Sequence, residues 1–191
     1  MGVRTIILSN HVRNQLNEYQ VEFIEKCYQR IFYIEENLDF TETAAPIRLL
    51  YLKELFTIFE ELHKIKFTRS NEGKIDPNDL EKLEQLKLVM GFIRNVLSHF
   101  PLFNTWDDIE ISQEFSLGMG GPKNGKIYKF LSHDPKRIPV AFRLTYIDDS
   151  TRQANINYPQ HLKSSDRIYL KDIVSEQDGA LIILNIMSHI F

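Results

Sequence analysis

Residues 76–101 read DPNDLEKLEQLKLVMGFIRNVLSHFP. Asp76 can cap a helix and Pro77 needs no hydrogen-bond donor in the first turn, so the segment opens as a helix start. Leu83, Leu86, Met90, Ile93, Leu97 and Phe100 then recur at three- and four-residue intervals, the seam of a helix packed nearly parallel to neighbours in a bundle. Pro101 ends it. A seam this long needs partner helices, and the flanking sequence supplies them.

Upstream, residues from about Asn10 to Asn37 carry Leu16, Tyr19, Phe23, Cys27, Ile31 and Ile34 on one stripe, which predicts a single first helix. Thr43 is suited to cap a second, with Pro46 in its first turn and Leu49, Leu52, Phe56, Phe59 and Leu62 along its buried face, running to about Phe67. The polar stretch from Thr68 to Lys74, with Gly73, is a loop. Downstream the period changes to two: Ile109 and Ile111, then Val140, Phe142, Leu144 and Tyr146, then Ile156 and Tyr158, with Asp148 to Thr151 as a hairpin turn. Gly118, Gly120, Gly121, Pro122 and Gly125 form a loop without the Gly-Lys-Ser/Thr ending and following helix of a phosphate cradle. A short apolar segment covers Ile168 to Val174. From Ser175 a closing helix, apolar nearly all round, belongs inside the bundle or in a subunit interface. The fold class is therefore α+β but mainly α: a helical bundle with a small inserted antiparallel β-meander. It forms one domain over 1–191, with a helical core at about 10–101 and 173–191 and a β-rich insertion at about 106–160.

A chain of 191 residues with 43% hydrophobic content sustains one buried core. The formal net charge of -3 lacks the basic excess of a dedicated duplex binder, so a nucleic acid would have to meet a local patch. The single cysteine, Cys27, cannot form an internal disulfide and sits in an apolar helical stretch, which points to a small buried hydrophobe in a reducing compartment. The apolar start at residues 3–8 is too short for a signal peptide, position 6 lacks the Ser or Thr of a myristoylation signal, and no apolar run approaches a bilayer-spanning length. These features lead to an expectation of a cytoplasmic protein without membrane contact.

The residues best suited to chemistry lie in Arg94-Asn95-Val96-Leu97-Ser98-His99. On a wheel with Met90 at zero, the seam spans roughly -80° to +20°, Arg94 falls at about 40°, and Asn95 and His99 at about 140° and 180°. Asn95 and His99 therefore share a face, whereas Arg94 starts from the margin of the core. Arg94 and His99 can serve one site only if the arginine curls round or a second chain supplies the missing member. Histidine titrates near neutrality, with an unperturbed pKa of about 6.5, and suits general base or acid work. Arginine keeps its charge and offers a planar fork to a phosphate, stabilising the negative charge that builds in the transition state. Asn95 can orient His99 or hydrogen-bond the phosphate. The structural alternative is an Arg94 paired with a carboxylate of a neighbouring helix and a His99 that caps the helix end.

Arg94-Asn95 followed by His99 on the third helix of a bundle resembles the Arg-x4-6-His signature of the HEPN superfamily, whose arginine is often followed by a polar residue. The resemblance covers the motif and its helical context, about half of the chain, and does not extend to the sheet expected between 106 and 160. It implies a bundle of four or five helices acting as a homodimer. The activity it implies is a metal-independent endoribonuclease without a cofactor, with Arg94, Asn95 and His99 at the catalytic site and a 2',3'-cyclic phosphate and a 5'-hydroxyl as products. It further implies RNA as substrate, a toxin–antitoxin or phage-defence setting, and a cognate antitoxin or nucleotidyltransferase as partner. The rival function is a non-catalytic helical protein that binds or scaffolds a nucleotidyltransferase or nuclease.

Other residues carry weaker signals. Lys123, Lys126, Lys129, Lys136, Arg137 and Arg143, interleaved with Tyr128, Phe130 and Phe142, make the most basic stretch and a candidate surface for tracking RNA phosphates, although sheet edges also carry lysine to discourage aggregation. Arg13-Asn14 is a near miss of the motif, with Glu18 where histidine is required. His11, His63, His133, His161 and His189 have no metal-ligand partners at suitable spacing. Glu35-Glu36 and Glu60-Glu61 lack the Glu-x-x-His of a di-iron bundle, and solvated helix faces explain them.

Overall fold

The computed structural model describes residues 6–65, 89–97, 104–110, 141–145, 151–157 and 168–188. Helices dominate them, joined by one pair of strands. The stretch expected to be one helix from Asn10 to Asn37 is two: α1 spans Asn10–Arg13 and α2 spans Glu18–Asn37. The break is made by Asn17 and Gln20. The Asn17 side chain accepts from the Gln20 N–H at 2.9 Å, and the Gln20 side chain accepts from the Asn17 N–H at 3.0 Å, a reciprocal cap that restarts the helix. The buried side of α2 is Ile24, Cys27, Tyr28, Ile31 and Ile34. Tyr19, assigned to the stripe by its spacing, is 84% exposed and Phe23 is exposed as well. Both lie within two turns of the new helix start, where no other described element covers them.

Helix α3 spans Ala45–Lys64, with Pro46 in its first turn. Thr43 is not its cap: the Thr43 hydroxyl donates to the Asn37 carbonyl and accepts from the Asp39 N–H, closing the preceding turn, and Ala44 takes the cap position without a side-chain bond. Leu49, Leu52, Leu55, Phe56 and Leu62 are buried. Residues 89–97 are helical and form α4, with Val89, Met90, Phe92, Ile93, Val96 and Leu97 buried. The start at Asp76-Pro77, the seam residues Leu83, Leu86 and Phe100, and the stop at Pro101 lie outside the described residues.

Trp106–Asp108 form a 3-10 turn rather than the beginning of a strand. Trp106 is buried, and its indole N–H donates to the Val174 carbonyl at 2.8 Å, which satisfies the one polar atom of a large apolar ring. Strand β1 (Ala141–Thr145) pairs antiparallel with β2 (Thr151–Asn155), Thr145 opposite Thr151. Thr151 is thus the first residue of a strand and not part of the turn, and β2 ends before Ile156 and Tyr158, where a strand was expected. Ile156 is buried just past the strand end, and Tyr158 lies outside the described residues, as do 111–140 and 146–150.

The apolar segment Ile168–Val174 contains a single helical turn, α5 (Leu170–Ile173), followed by α6 (Glu176–Ser188). Ser175 accepts from the Asp178 N–H at 3.0 Å and donates to the Asp178 carboxylate at 2.8 Å, the cap its position suggested. Helix α6 packs on α3 and on both strands, and the Tyr28 hydroxyl donates to its Met187 carbonyl at 2.6 Å. Ala180, Ile182, Ile183 and Met187 are buried, as an all-round apolar helix requires. Across the top of the core Arg48 of α3 grips Glu176 of α6 in a two-pronged ion pair, Nε to Oε1 at 3.0 Å and an NH2 nitrogen to Oε2 at 2.9 Å, while its NH1 group donates to the Thr43 carbonyl. Among the described residues no helix is long and apolar enough to cross a membrane.

Candidate functional site

Arg94 is the one residue of the described part of α4, apart from Gly91, that is not buried. Its side chain reaches a cleft of about 190 Å³ lined by Lys53, Phe56, Thr57 and Glu60 of α3 and by Arg94 and Leu97 of α4. The guanidinium donates through NH1 to the Asn95 side-chain oxygen at 2.7 Å and through NH2 to the Glu60 carboxylate. Arg94 and Glu60 remain about a third exposed, at 29% and 33%. An ion pair this open to water contributes only about 0–1 kcal/mol to stability. The arrangement thus holds the guanidinium in place at little energetic consequence and leaves it within reach of solvent.

Asn95 departs from its position on the wheel. It is buried, at 7% exposure, instead of standing on an outer face. The six-residue seam left out Val89, Phe92 and Val96, which fall at about -100°, -160° and -120° and widen the buried arc past the seam's edge towards Asn95, so among the described residues only the sector of Gly91 and Arg94 stays open. In that setting an asparagine needs a partner, because burying an unpaired amide costs about 1–3 kcal/mol. Its oxygen has one in Arg94. Burial of the amide therefore fixes one end of the guanidinium, and Glu60 fixes the other.

The structure brings together Arg94 and Asn95 of the predicted site. His99 lies outside the described residues, as do Lys123, Lys126, Lys129 and Arg137 of the basic stretch. Arg143 is in β1 with Gln153 as its backbone partner. Glu60, set aside in the sequence as part of a solvated Glu-Glu pair, is a member of the site, whereas its neighbour Glu61 bonds Lys64 on the surface. Lys53 and Thr57 were likewise passed over. The signal was present in their spacing: Lys53, Thr57 and Glu60 recur at four and three residues, a polar line beside the apolar stripe of α3. Burial holds the Lys53 ammonium below its ordinary pKa.

Elsewhere the titratable groups have plain structural roles. Cys27 is buried, and burial together with the charge of Glu61 pushes its thiol pKa up, the reverse of a reactive cysteine. His63 stacks on Phe59 with ring centres 5.8 Å apart. Among the described residues no three His, Cys, Asp or Glu side chains come together as a metal site. No family model, curated protein or solved structure matches the chain.

Proposed function

We propose that the chain is a metal-independent endoribonuclease of the HEPN type, acting as a homodimer in a toxin or phage-defence setting. The observation that carries this reading is the Arg94 guanidinium, oriented by the buried Asn95 and facing a cleft that water reaches. A fixed, permanently charged fork at a solvent cleft is what stabilising a pentacoordinate phosphate requires. In this reading His99, four residues beyond Asn95 in the sequence, takes the 2'-hydroxyl proton or supplies the proton of the leaving 5'-oxygen. The 2'-oxygen attacks the adjacent phosphorus as the bond to the 5'-oxygen breaks, leaving a 2',3'-cyclic phosphate and a 5'-hydroxyl. Asn95 is the positioning residue for Arg94, a change from the sequence reading that tied it to His99 or to phosphate. The HEPN-like bundle and the two-fold assembly belong to this proposal, and the basic stretch at 123–143 is its surface for tracking RNA.

The test is cleavage of single-stranded RNA by the purified chain in EDTA. Arg94→Ala and His99→Ala are each expected to abolish cleavage with melting temperatures within a few degrees of the parent, and DNA is expected to resist because it lacks the internal nucleophile. Full activity in both variants removes the site. A homodimer is expected by sedimentation at micromolar concentration, and a fully active monomer rejects the two-fold assembly.

A second reading is favoured by the Arg94–Glu60 bond between α3 and α4. It is the carboxylate pairing that a helical scaffold would use, and it fits a non-catalytic protein that binds a nucleotidyltransferase or nuclease. That reading expects no cleavage by the parent chain and a stability loss from Glu60→Ala that disappears when Arg94 is already alanine.

A further inference from the structure

The cleft beside Arg94 contains a second cation. Lys53 and Arg94 line the same space from opposite helices, over an apolar floor made by Phe56 and Leu97. Arg94 is matched by Glu60, but among the described residues Lys53 has no ion-pair or hydrogen-bond partner for its ammonium group. A partly buried charge without a partner among the described residues becomes favourable when an anion enters, and the same burial lowers the pKa of Lys53. The volume, about 190 Å³, is below the roughly 300–1,000 Å³ of sites that enclose whole drug-sized ligands. It suits a single phosphodiester group with its chain running out to solvent. Glu60 completes the picture, since its carboxylate already occupies one prong of the Arg94 fork, as a phosphate oxygen would.

We propose that Lys53 is a second phosphate contact in the Arg94 cleft and that Glu60 is a built-in competitor, whose carboxylate holds the guanidinium until an RNA phosphodiester displaces it. The inference rests on the ribonuclease reading for its choice of ligand, and it adds two residues to the site. Lys53 reaches the anion as a mobile point charge, and Arg94 as a fork. Displacing Glu60 sets a threshold: a lone inorganic anion meets the competition of a tethered carboxylate, whereas a polyanionic strand with further contacts overcomes it.

The experiment measures binding of a fluorescent single-stranded 2'-O-methyl oligoribonucleotide, which cannot be cleaved, by the whole chain across a salt series. Lys53→Gln is expected to weaken binding about tenfold and to lower the slope of log affinity against log salt by about one, the loss of one phosphate contact. Lys53→Arg is expected to restore both. Glu60→Gln keeps the side-chain length but removes the competing charge, and is expected to tighten binding severalfold. Melting curves accompany each variant, and Lys53→Gln is expected to melt no lower than the parent because it removes a desolvated charge. An unchanged affinity and salt slope in Lys53→Gln, weaker binding by Glu60→Gln, or no binding by the parent chain overturns the inference. A parent that binds this oligonucleotide with the expected Lys53 dependence but does not cleave RNA leaves the subsite standing and removes the ribonuclease reading. A parent that cleaves RNA with no effect of Lys53→Gln on binding removes the subsite alone.

Discussion

Replacing Gly179 of α6 by alanine would place a methyl carbon 2.8 Å from Cη2 and 3.1 Å from Cζ2 of the Trp106 ring. Carbon atoms attract at about 3.5–4.0 Å, so ring and helix would have to separate by roughly 0.7 Å. The indole cannot simply recede: it is 1% exposed and tethered through its N–H to the Val174 carbonyl at 2.8 Å. Overpacking of this kind costs about 1–3 kcal/mol, while alanine in place of glycine returns up to about 1 kcal/mol of helix propensity. The net expectation for Gly179→Ala is a loss of about 1–2 kcal/mol, read as a lower midpoint in urea at unchanged slope. Trp106→Phe removes the part of the ring that collides. In that background the same glycine replacement should be neutral or stabilising, so the two changes are coupled by about 1–2 kcal/mol of opposite sign to their separate effects. An equal cost of Gly179→Ala with Trp or Phe at 106 would refute the steric argument.

Three further outcomes follow from contacts elsewhere in the core. Arg48→Ala strands the Glu176 carboxylate, at 13% side-chain exposure, and should cost about 3 kcal/mol by denaturant titration; a loss below 1 kcal/mol would place this pair with ordinary surface bridges. Asn17→Ala removes the reciprocal cap of α2 and should cost about 1 kcal/mol with a matching drop in helical circular dichroism on heating; no change would show that the break at Asn14–Asn17 is set by something else. The Cys27 thiol has a raised pKa when folded, so the folded state keeps a proton that the unfolded chain gives up. Its contribution is complete below the unfolded value of about 8.5 and declines as pH rises past it. Cys27→Ala should flatten that decline, and in the parent the thiol should react with a soluble disulfide reagent only as fast as the protein opens.

Periodicity carried most of the helical architecture. Most of the α3 stripe (Leu49, Leu52, Phe56 and Leu62, with Phe59 partly buried) and the apolar character of α6 are the arrangements seen, because covered helix faces favour apolar side chains. The single helix from 10 to 37 failed where two local rules conflicted. Leu16, Tyr19 and Phe23 continue the spacing across the break, but the Asn17–Gln20 cap satisfies the backbone there and ends the register. Asn95 failed for a different reason: a wheel ranks positions against a chosen seam, and the buried Val89, Val96 and Phe92 show that the covered arc of α4 runs on past that seam until it reaches Asn95. Arg94 was legible as a residue type at a motif spacing. Its bond to Glu60, and the Lys53 ammonium across the cleft, depend on how α3 lies against α4, which no local pattern encodes.

The Tyr28 hydroxyl bonds to a carbonyl 159 positions further along the chain, and the Trp106 indole to one 68 positions on. On a ribosome, α2 and α3 emerge long before α6, which packs on α3 and accepts the Tyr28 hydroxyl, so those contacts must wait for the last helix to be synthesised. Nascent chains of this protein should therefore need a holding chaperone until late in translation, and a stop codon anywhere in α6 should direct the product to proteolysis rather than to a smaller folded form.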